Sequence, residues 1–161
     1  MRSKAYLFSL FLFFSCSGIN YISKVDLNEI YGAPFLKQVA NIKSIYGKGQ
    51  KAEALSKLKN LEAASPESKH QALIKNLYGV IYFQEANYER SISYFEQALE
   101  LKTPDNSLVS QVNLNIASSY FKLKKLDDSY SYFGKVEKNY LEEKEKKKYY
   151  HLGYMLSLIH I

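Results

Sequence analysis

The sequence has very little cysteine, and this limits how the fold can be stabilised. Among 161 residues only Cys16 carries a thiol. One cysteine cannot form an intramolecular disulfide, so no disulfide framework holds the fold together. The three histidines lack the spacing of metal ligands. We therefore predict neither a disulfide nor a metal site.

Catalytic signatures are missing as well. The segment at residues 47–51 lacks the Gly-x4-Gly-Lys-Ser/Thr pattern of a phosphate-binding loop and a preceding strand. Asp127 and Asp128 are interpreted as a helix start, which the helix dipole favours, rather than as an acid–base pair. No serine or cysteine has a neighbouring base that the sequence identifies. We predict a non-enzymatic protein with no cofactor and no small-molecule substrate.

The apolar run at the amino terminus is too short to cross a bilayer. Residues 5–14 are apolar apart from Ser9, and the basic residues Arg2 and Lys4 precede them. A membrane-spanning helix needs about 20 such residues. A basic head followed by a short apolar segment and small residues is typical of a secretory signal. We therefore predict a signal peptide at residues 1–15.

Cys16 stands where such a signal is cleaved, directly after Ser15. The pattern resembles a bacterial lipoprotein signal, in which this cysteine becomes the lipidated first residue, although Phe13 and Phe14 depart from the usual leucine and small residue. The resemblance implies lipidation at Cys16, export to the periplasmic side of a membrane or the cell surface, and a tether at residues 16–33. An ordinary secretory signal with an incidental cysteine is the alternative.

A pattern of small and apolar residues recurs after 37 and then 38 positions. Its offsets of three, four and seven place the residues on one face of a helix. The third copy extends to Val136. The residues predicted to pack the repeats together are Ala54, Gly79, Tyr82, Ser91, Phe95, Ala98, Ala117, Tyr120, Ser129, Phe133 and Gly153. A fixed period of this size indicates stacked helical hairpins rather than one globular core.

The copy at residues 72–105 resembles the tetratricopeptide repeat, a 34-residue helix–turn–helix. Signature positions are occupied by Gly79, Tyr82, Phe95 and Ala98, whereas Ser91 replaces the family's alanine. The resemblance implies an all-α, right-handed helical-hairpin solenoid of about three and a half repeats within residues 34–155. The implied units are residues 35–68, 72–105 and 110–143, with a partial unit at 146–155. Another helical-hairpin solenoid of similar period is the alternative.

In this family the first helix of each unit lines a concave groove, with the second, fifth, ninth and twelfth residues facing inward. The resemblance therefore implies a groove of Leu36, Val39, Lys43, Tyr46, Leu73, Asn76, Val80, Phe83, Gln111, Leu114, Ser118, Phe121, Tyr150 and Tyr154. An aromatic recurs at the twelfth place, so we expect a mostly apolar groove for an extended or helical segment. Alternatively, these rings complete the packing between units. A terminal-carboxylate clamp of repeated Lys and Asn is not expected, because only Asn76 fits it.

The last six residues, 156–161, resemble the translation of a sequencing-library adapter. We expect them to be a non-native tail and the natural protein to continue after about residue 155. An unusually apolar final helix is the alternative.

Taken with the lipoprotein signal, the repeat resemblance implies a scaffold anchored to the bacterial cell envelope. Its expected partners are other envelope proteins or peptides, and a lipid anchor connects it to the membrane. No nucleic-acid partner is expected for an exported chain, despite the net charge of +6. Two alternatives stay open: the targeting module of a truncated envelope enzyme, and a soluble secreted or signal-anchored protein.

Overall fold

The computed structural model describes residues 26–159. The predicted signal peptide, Cys16 and most of the predicted tether lie outside this range. Within it the chain forms eight α-helices, one short 3-10 helix and no strand. The helices are α1 (Leu27–Tyr31), α2 (Ala33–Gly47), α3 (Lys51–Ala64), α4 (Ser68–Gln84), α5 (Tyr88–Glu100), α6 (Asn106–Lys122), α7 (Leu126–Phe133) and α8 (Glu143–Ile159). The predicted all-α fold is confirmed.

Consecutive helices pair into hairpins, and the hairpins stack. α2 pairs with α3, α4 with α5, and α6 with α7. Neighbouring hairpins meet where α3 contacts α4, α5 contacts α6 and α7 contacts α8. The first helices also touch one another, α4 against α6 and α6 against α8. This arrangement is the predicted helical-hairpin solenoid, with α8 as the first helix of a fourth unit.

The turn inside each hairpin contains one residue in the left-handed conformation. These residues are Gly49 (φ 83°), Ala86 (φ 57°) and Lys124 (φ 60°). They recur at the same period as the packing residues. Only the first is a glycine, the residue for which this conformation has no steric cost. The turn geometry is therefore repeated even where the residue type is not.

A close contact between the two helices of a hairpin sets their separation. Gly79 of α4 faces the ring of Phe95 of α5, and a Cβ added to the glycine would lie 2.5 Å from Cδ1 of that ring. Beside it, the Ser91 hydroxyl donates a hydrogen bond to the Gly79 carbonyl over 2.8 Å. In the next unit Ser129 donates to the Ala117 carbonyl over the same distance. Serine in place of the family's alanine thus adds a buried hydrogen bond between the paired helices.

The third unit departs from the predicted pattern. α7 ends at Phe133, so Val136 lies beyond the helix rather than on its packing face. Gly134 follows directly, and glycine is less favourable than alanine in a helix by about 1 kcal/mol. A 3-10 helix at Lys138–Tyr140 then leads to Leu141, which is buried beside α6 and α8. A loop residue therefore supplies core packing where the other units have helix.

The folded array includes residues 26–33, which the sequence analysis assigned to the tether. The side chain of Asp26 accepts a hydrogen bond from the Asn28 amide and caps α1. Tyr31 is buried, and its hydroxyl donates to Oδ2 of Asp105, the residue that caps α6. The Tyr31 carbonyl lies 2.9 Å from Nε2 of His70. α1 therefore connects the start of the first unit to the starts of the second and third.

α8 continues through the described part of the predicted tail. Leu152 and Leu156 are buried in the same cluster as Leu114 of α6. Gly153 faces Phe133 of α7, and a Cβ added to the glycine would lie only 3.0 Å from Cζ of the phenylalanine ring. The fourth unit thus repeats the glycine–phenylalanine contact of the second, although here the contact joins neighbouring units.

We expect Gly79→Ala to destabilise the fold by about 1–3 kcal/mol, because the added methyl would overlap the buried Phe95 ring. Gly47→Ala is the matched control, since a Cβ there meets no atom within 4 Å. Alanine at this helical position should be neutral or gain up to about 1 kcal/mol. Urea unfolding followed by circular dichroism measures both changes. Equal stability of the two variants would contradict the tight contact.

Candidate partner-binding groove

A groove of about 700 Å³ runs across the first helices of the units. All of its lining residues belong to α2, α4, α6 or α8. It crosses these helices obliquely: it meets α2 and α4 in their carboxyl-terminal halves, α6 nearer its beginning, and α8 close to its first turn. The groove therefore lies on the first helices of the units, and its path depends on how successive units are rotated.

The structure places part of the predicted groove set on this surface. The predicted residues that line the groove are Lys43, Tyr46, Asn76, Val80 and Gln111. Those that contribute to packing between helices instead are Leu36, Val39, Leu73, Leu114, Ser118 and Phe121. Val39 and Leu114 are only 4% and 0% exposed, so these two side chains are core residues and are not open to a partner.

Of the three aromatic residues at the twelfth places of the units, Tyr46 lines the groove, whereas Phe83 and Phe121 do not. The ring of Phe83 packs edge-on against Tyr88, at 5.4 Å between centroids, and the ammonium of Lys148 lies 5.1 Å from its centroid on the groove side. Tyr150 and Tyr154 are 60% and 61% exposed and lie outside the groove. The groove crosses α8 close to its first turn, whereas both tyrosines lie farther along this helix.

Four groove residues of α6 and α8 were not predicted: Asn115, Lys144, Glu145 and Lys148. The sequence contained a weak signal for them. Gln111 and Asn115 are four residues apart on α6, as are Lys144 and Lys148 on α8, so each pair shares a helix face. Charge runs of this kind usually face solvent on an exposed helix, which is why the α8 pair was not distinguished from its neighbours.

The floor of the groove is a chain of polar side chains that links three helices. Asn115 donates to Oδ1 of Asn76 over 3.3 Å, and Asn76 donates to Oε1 of Gln111 over 3.2 Å. Gln111 in turn donates to Oε1 of Glu145 over 3.0 Å, and the Lys148 ammonium donates to Oδ1 of Asn115 over 2.8 Å. These polar side chains lie among apolar lining residues of α2 and α4, which include Ile42, Leu77 and Ile81. The groove therefore combines a polar chain with the apolar surface that the sequence predicted.

The groove contains more positive than negative charge. Lys43, Lys144 and Lys148 line it together with one acid, Glu145. Across residues 26–159, none of the three lysines has a carboxylate oxygen within 4 Å of its ammonium. One oxygen of Glu145, Oε2, is buried and has no hydrogen-bond partner among the described residues. The groove thus presents ammonium groups that have no acidic partner within the described chain.

Desolvation by the groove walls acts on two of these lysines. It lowers the pKa of Lys148 to about 8, and the negative charge of Glu145 opposes only part of this effect. The pKa of Lys43 is also lowered, chiefly by the surrounding walls, although its side chain still reaches solvent. For Lys148 the lowered pKa is that of an ammonium group in a poorly hydrated place without a paired carboxylate, whereas Lys43 is an exposed residue.

We expect the Lys148 ammonium to titrate near pH 8 rather than at its ordinary value of 10.5. Between these two values the unfolded chain holds the proton and the folded chain does not, so this residue makes the free energy of unfolding rise with pH across that window. NMR titration of the lysine side chains measures the midpoint, and Lys148→Met identifies the resonance. A midpoint near 10.5 would show that Lys148 is well hydrated.

The groove presents hydrogen-bonding groups and charge. No group of three His, Cys, Asp or Glu side chains within the described range could hold a metal ion. His70, which lies away from the groove, stacks on Phe35 with 4.0 Å between ring centroids. None of the described helices is both long and apolar enough to cross a membrane.

Comparison with known proteins supports the repeat assignment for one unit. Residues 72–105 match the family model described as tetratricopeptide repeat. These bounds coincide with the second predicted unit, which contains α4, α5 and the Gly79–Phe95 contact. No curated protein and no solved structure matches the chain. The family match therefore concerns one unit of the array, and the other units rest on the repeated geometry.

Proposed function

We propose that this chain is a non-enzymatic scaffold that binds a segment of a partner protein in the groove formed by α2, α4, α6 and α8. Tetratricopeptide repeats generally mediate protein–protein interactions. The observation that carries the proposal is the groove itself, which is about 700 Å³ in volume and open along four first helices. Pockets of this size commonly hold ligands, and a groove that crosses several helices suits a segment better than a compact molecule.

The polar floor supports a polypeptide as the occupant. Side-chain amides both donate and accept hydrogen bonds, as a peptide backbone does. Gln111 and Asn115 supply such amides along the floor and are held in place by the buried Asn76, while Tyr46 and Val80 supply apolar surface beside them. A segment lying across the helices would meet backbone-compatible groups and apolar contacts together.

The location of the scaffold is a further part of the proposal and rests on the sequence of residues 1–16. Lipid attached to Cys16 would hold the array at a bacterial envelope membrane and bring it close to other envelope proteins. Each buried methylene of an acyl chain contributes about 0.8 kcal/mol, so two or more chains anchor stably. α1 begins at Leu27, which leaves a short connection between the proposed anchor and the array.

A photo-crosslinking amino acid at Gln84 tests the groove. Gln84 is exposed and lines the groove, so a benzophenone there should form an adduct with a bound partner in the cells that produce the protein. The matched control is the same substitution at Ser93, an exposed position of α5 outside the groove. Adducts at both positions alike, or at neither, would contradict groove binding.

Metabolic labelling with a fatty acid tests the anchor. The unmodified chain should incorporate the label, and Cys16→Ala should abolish it. Ser17→Ala, which leaves the cysteine in place, is the control and should retain the label. Label that persists in Cys16→Ala, or is absent from the unmodified chain, would rule out lipidation at Cys16.

A further inference from the structure

We infer that the segment bound in the groove is acidic, with a side-chain carboxylate that pairs with the ammonium of Lys148. This inference rests on the proposed function and adds the chemistry of the partner. It comes from the charges that the fold brings together, because the lysines of the groove belong to α2 and α8 and are about a hundred residues apart in the sequence.

Charge complementarity is the first argument. Three lysines and one glutamate line the groove, and none of the lysines forms an ion pair within 4 Å in the described chain. Concave walls of low dielectric strengthen the field of such unpaired charges and attract groups of the opposite sign. An acidic segment would neutralise the excess, whereas a basic one would increase it.

The position of Lys148 is the second argument. Its ammonium has three donors, of which one is used by Asn115, and the Phe83 ring lies beneath it. Burial lowers the pKa of this group to about 8, as expected for an ammonium that lacks a carboxylate. A buried charge is stable when it is paired and hydrogen-bonded. A carboxylate from the occupant would complete the pairing that the chain itself does not supply.

The negative charge of Glu145 favours a polypeptide over a small anion. Its Oε1 accepts from Gln111, and Oε2 is enclosed and lacks a donor within residues 26–159, so the carboxylate stays in the groove wall as a fixed charge. A small anion at Lys148 would place all of its charge near this carboxylate. A polypeptide segment can place one acidic side chain at Lys148 and neutral groups beside Glu145. The occupant is therefore better described as an acidic segment than as a free anion.

Selection of a randomised dodecapeptide display library on the full chain tests the inference. We expect the enriched peptides to contain Asp or Glu beside apolar residues. Because displayed peptides have no free carboxyl terminus, an acidic preference would belong to side chains. The enriched peptides are then synthesised with amidated carboxyl termini, and a second set carries Asn or Gln in place of the acidic residues. Fluorescence anisotropy gives the dissociation constants of both sets. The Asn and Gln peptides should bind about tenfold more weakly than the acidic ones.

Two variants of α8 separate a local pairing from a general charge effect. Lys148→Gln and Lys147→Gln remove the same charge one residue apart, but Lys147 is exposed and does not line the groove. We expect the first to raise the dissociation constant about tenfold and the second less than about twofold. Lys144→Gln, at an exposed groove position, is a further variant that should weaken binding while leaving the helical fold intact. Circular dichroism melting checks the folding of all three.

The outcomes distinguish this inference from the proposed function. A bulky Gln84→Trp variant identifies which peptides depend on the groove. The acidic preference is overturned when the groove-dependent peptides contain no acidic residues. It is also overturned when Lys147→Gln and Lys148→Gln weaken their binding equally. In both cases the groove function itself stands. If no selected peptide depends on the groove, both proposals fail.

Discussion

The rest of the structure depends on the close approach of the two helices in each hairpin. At Gly79 the absence of a side chain lets the Phe95 ring lie against the backbone of α4, and Ser91 fixes the approach with a buried hydrogen bond. This contact sets the distance and rotation between paired helices. Because the hairpins follow one another at a nearly fixed period, the rotation between successive units accumulates along the array. The groove is a consequence of that accumulation, since it is lined only by the helices on the inner side.

The same accumulation explains why the sequence predicts the hairpins better than the groove. Periodic small and aromatic residues are local signals, and they correctly indicated the paired helices. Which residues face a partner depends instead on the rotation of one unit against the next. Position numbers within a unit therefore placed Val39 and Leu114 on the open surface, although they are buried, and selected Tyr150 rather than Lys148 on α8.

Local chemistry also limited the prediction at both ends of the array. Residues 26–31 have too short a pattern to show helical periodicity, yet α1 forms because Asp26 caps it and Tyr31 finds a buried partner in Asp105. That partner is 74 residues away in the sequence, and no local rule connects the two. In the third unit, by contrast, a local signal was present: Gly134 ends α7 before Val136 can take its place on the helix.

The groove is incomplete in its charge more than in its hydrogen bonding. Its side-chain amides bind one another, as the hydroxyls of Ser91 and Ser129 bind backbone carbonyls in the core. Enclosed oxygens without a donor among the described residues occur in both places, at Oε2 of Glu145 in the groove and at Oδ1 of Asn113 outside it. The three lysines that line the groove, however, have no carboxylate oxygen within 4 Å in the described chain. Positive charge gathered in a concave surface and left unpaired favours an occupant of the opposite sign.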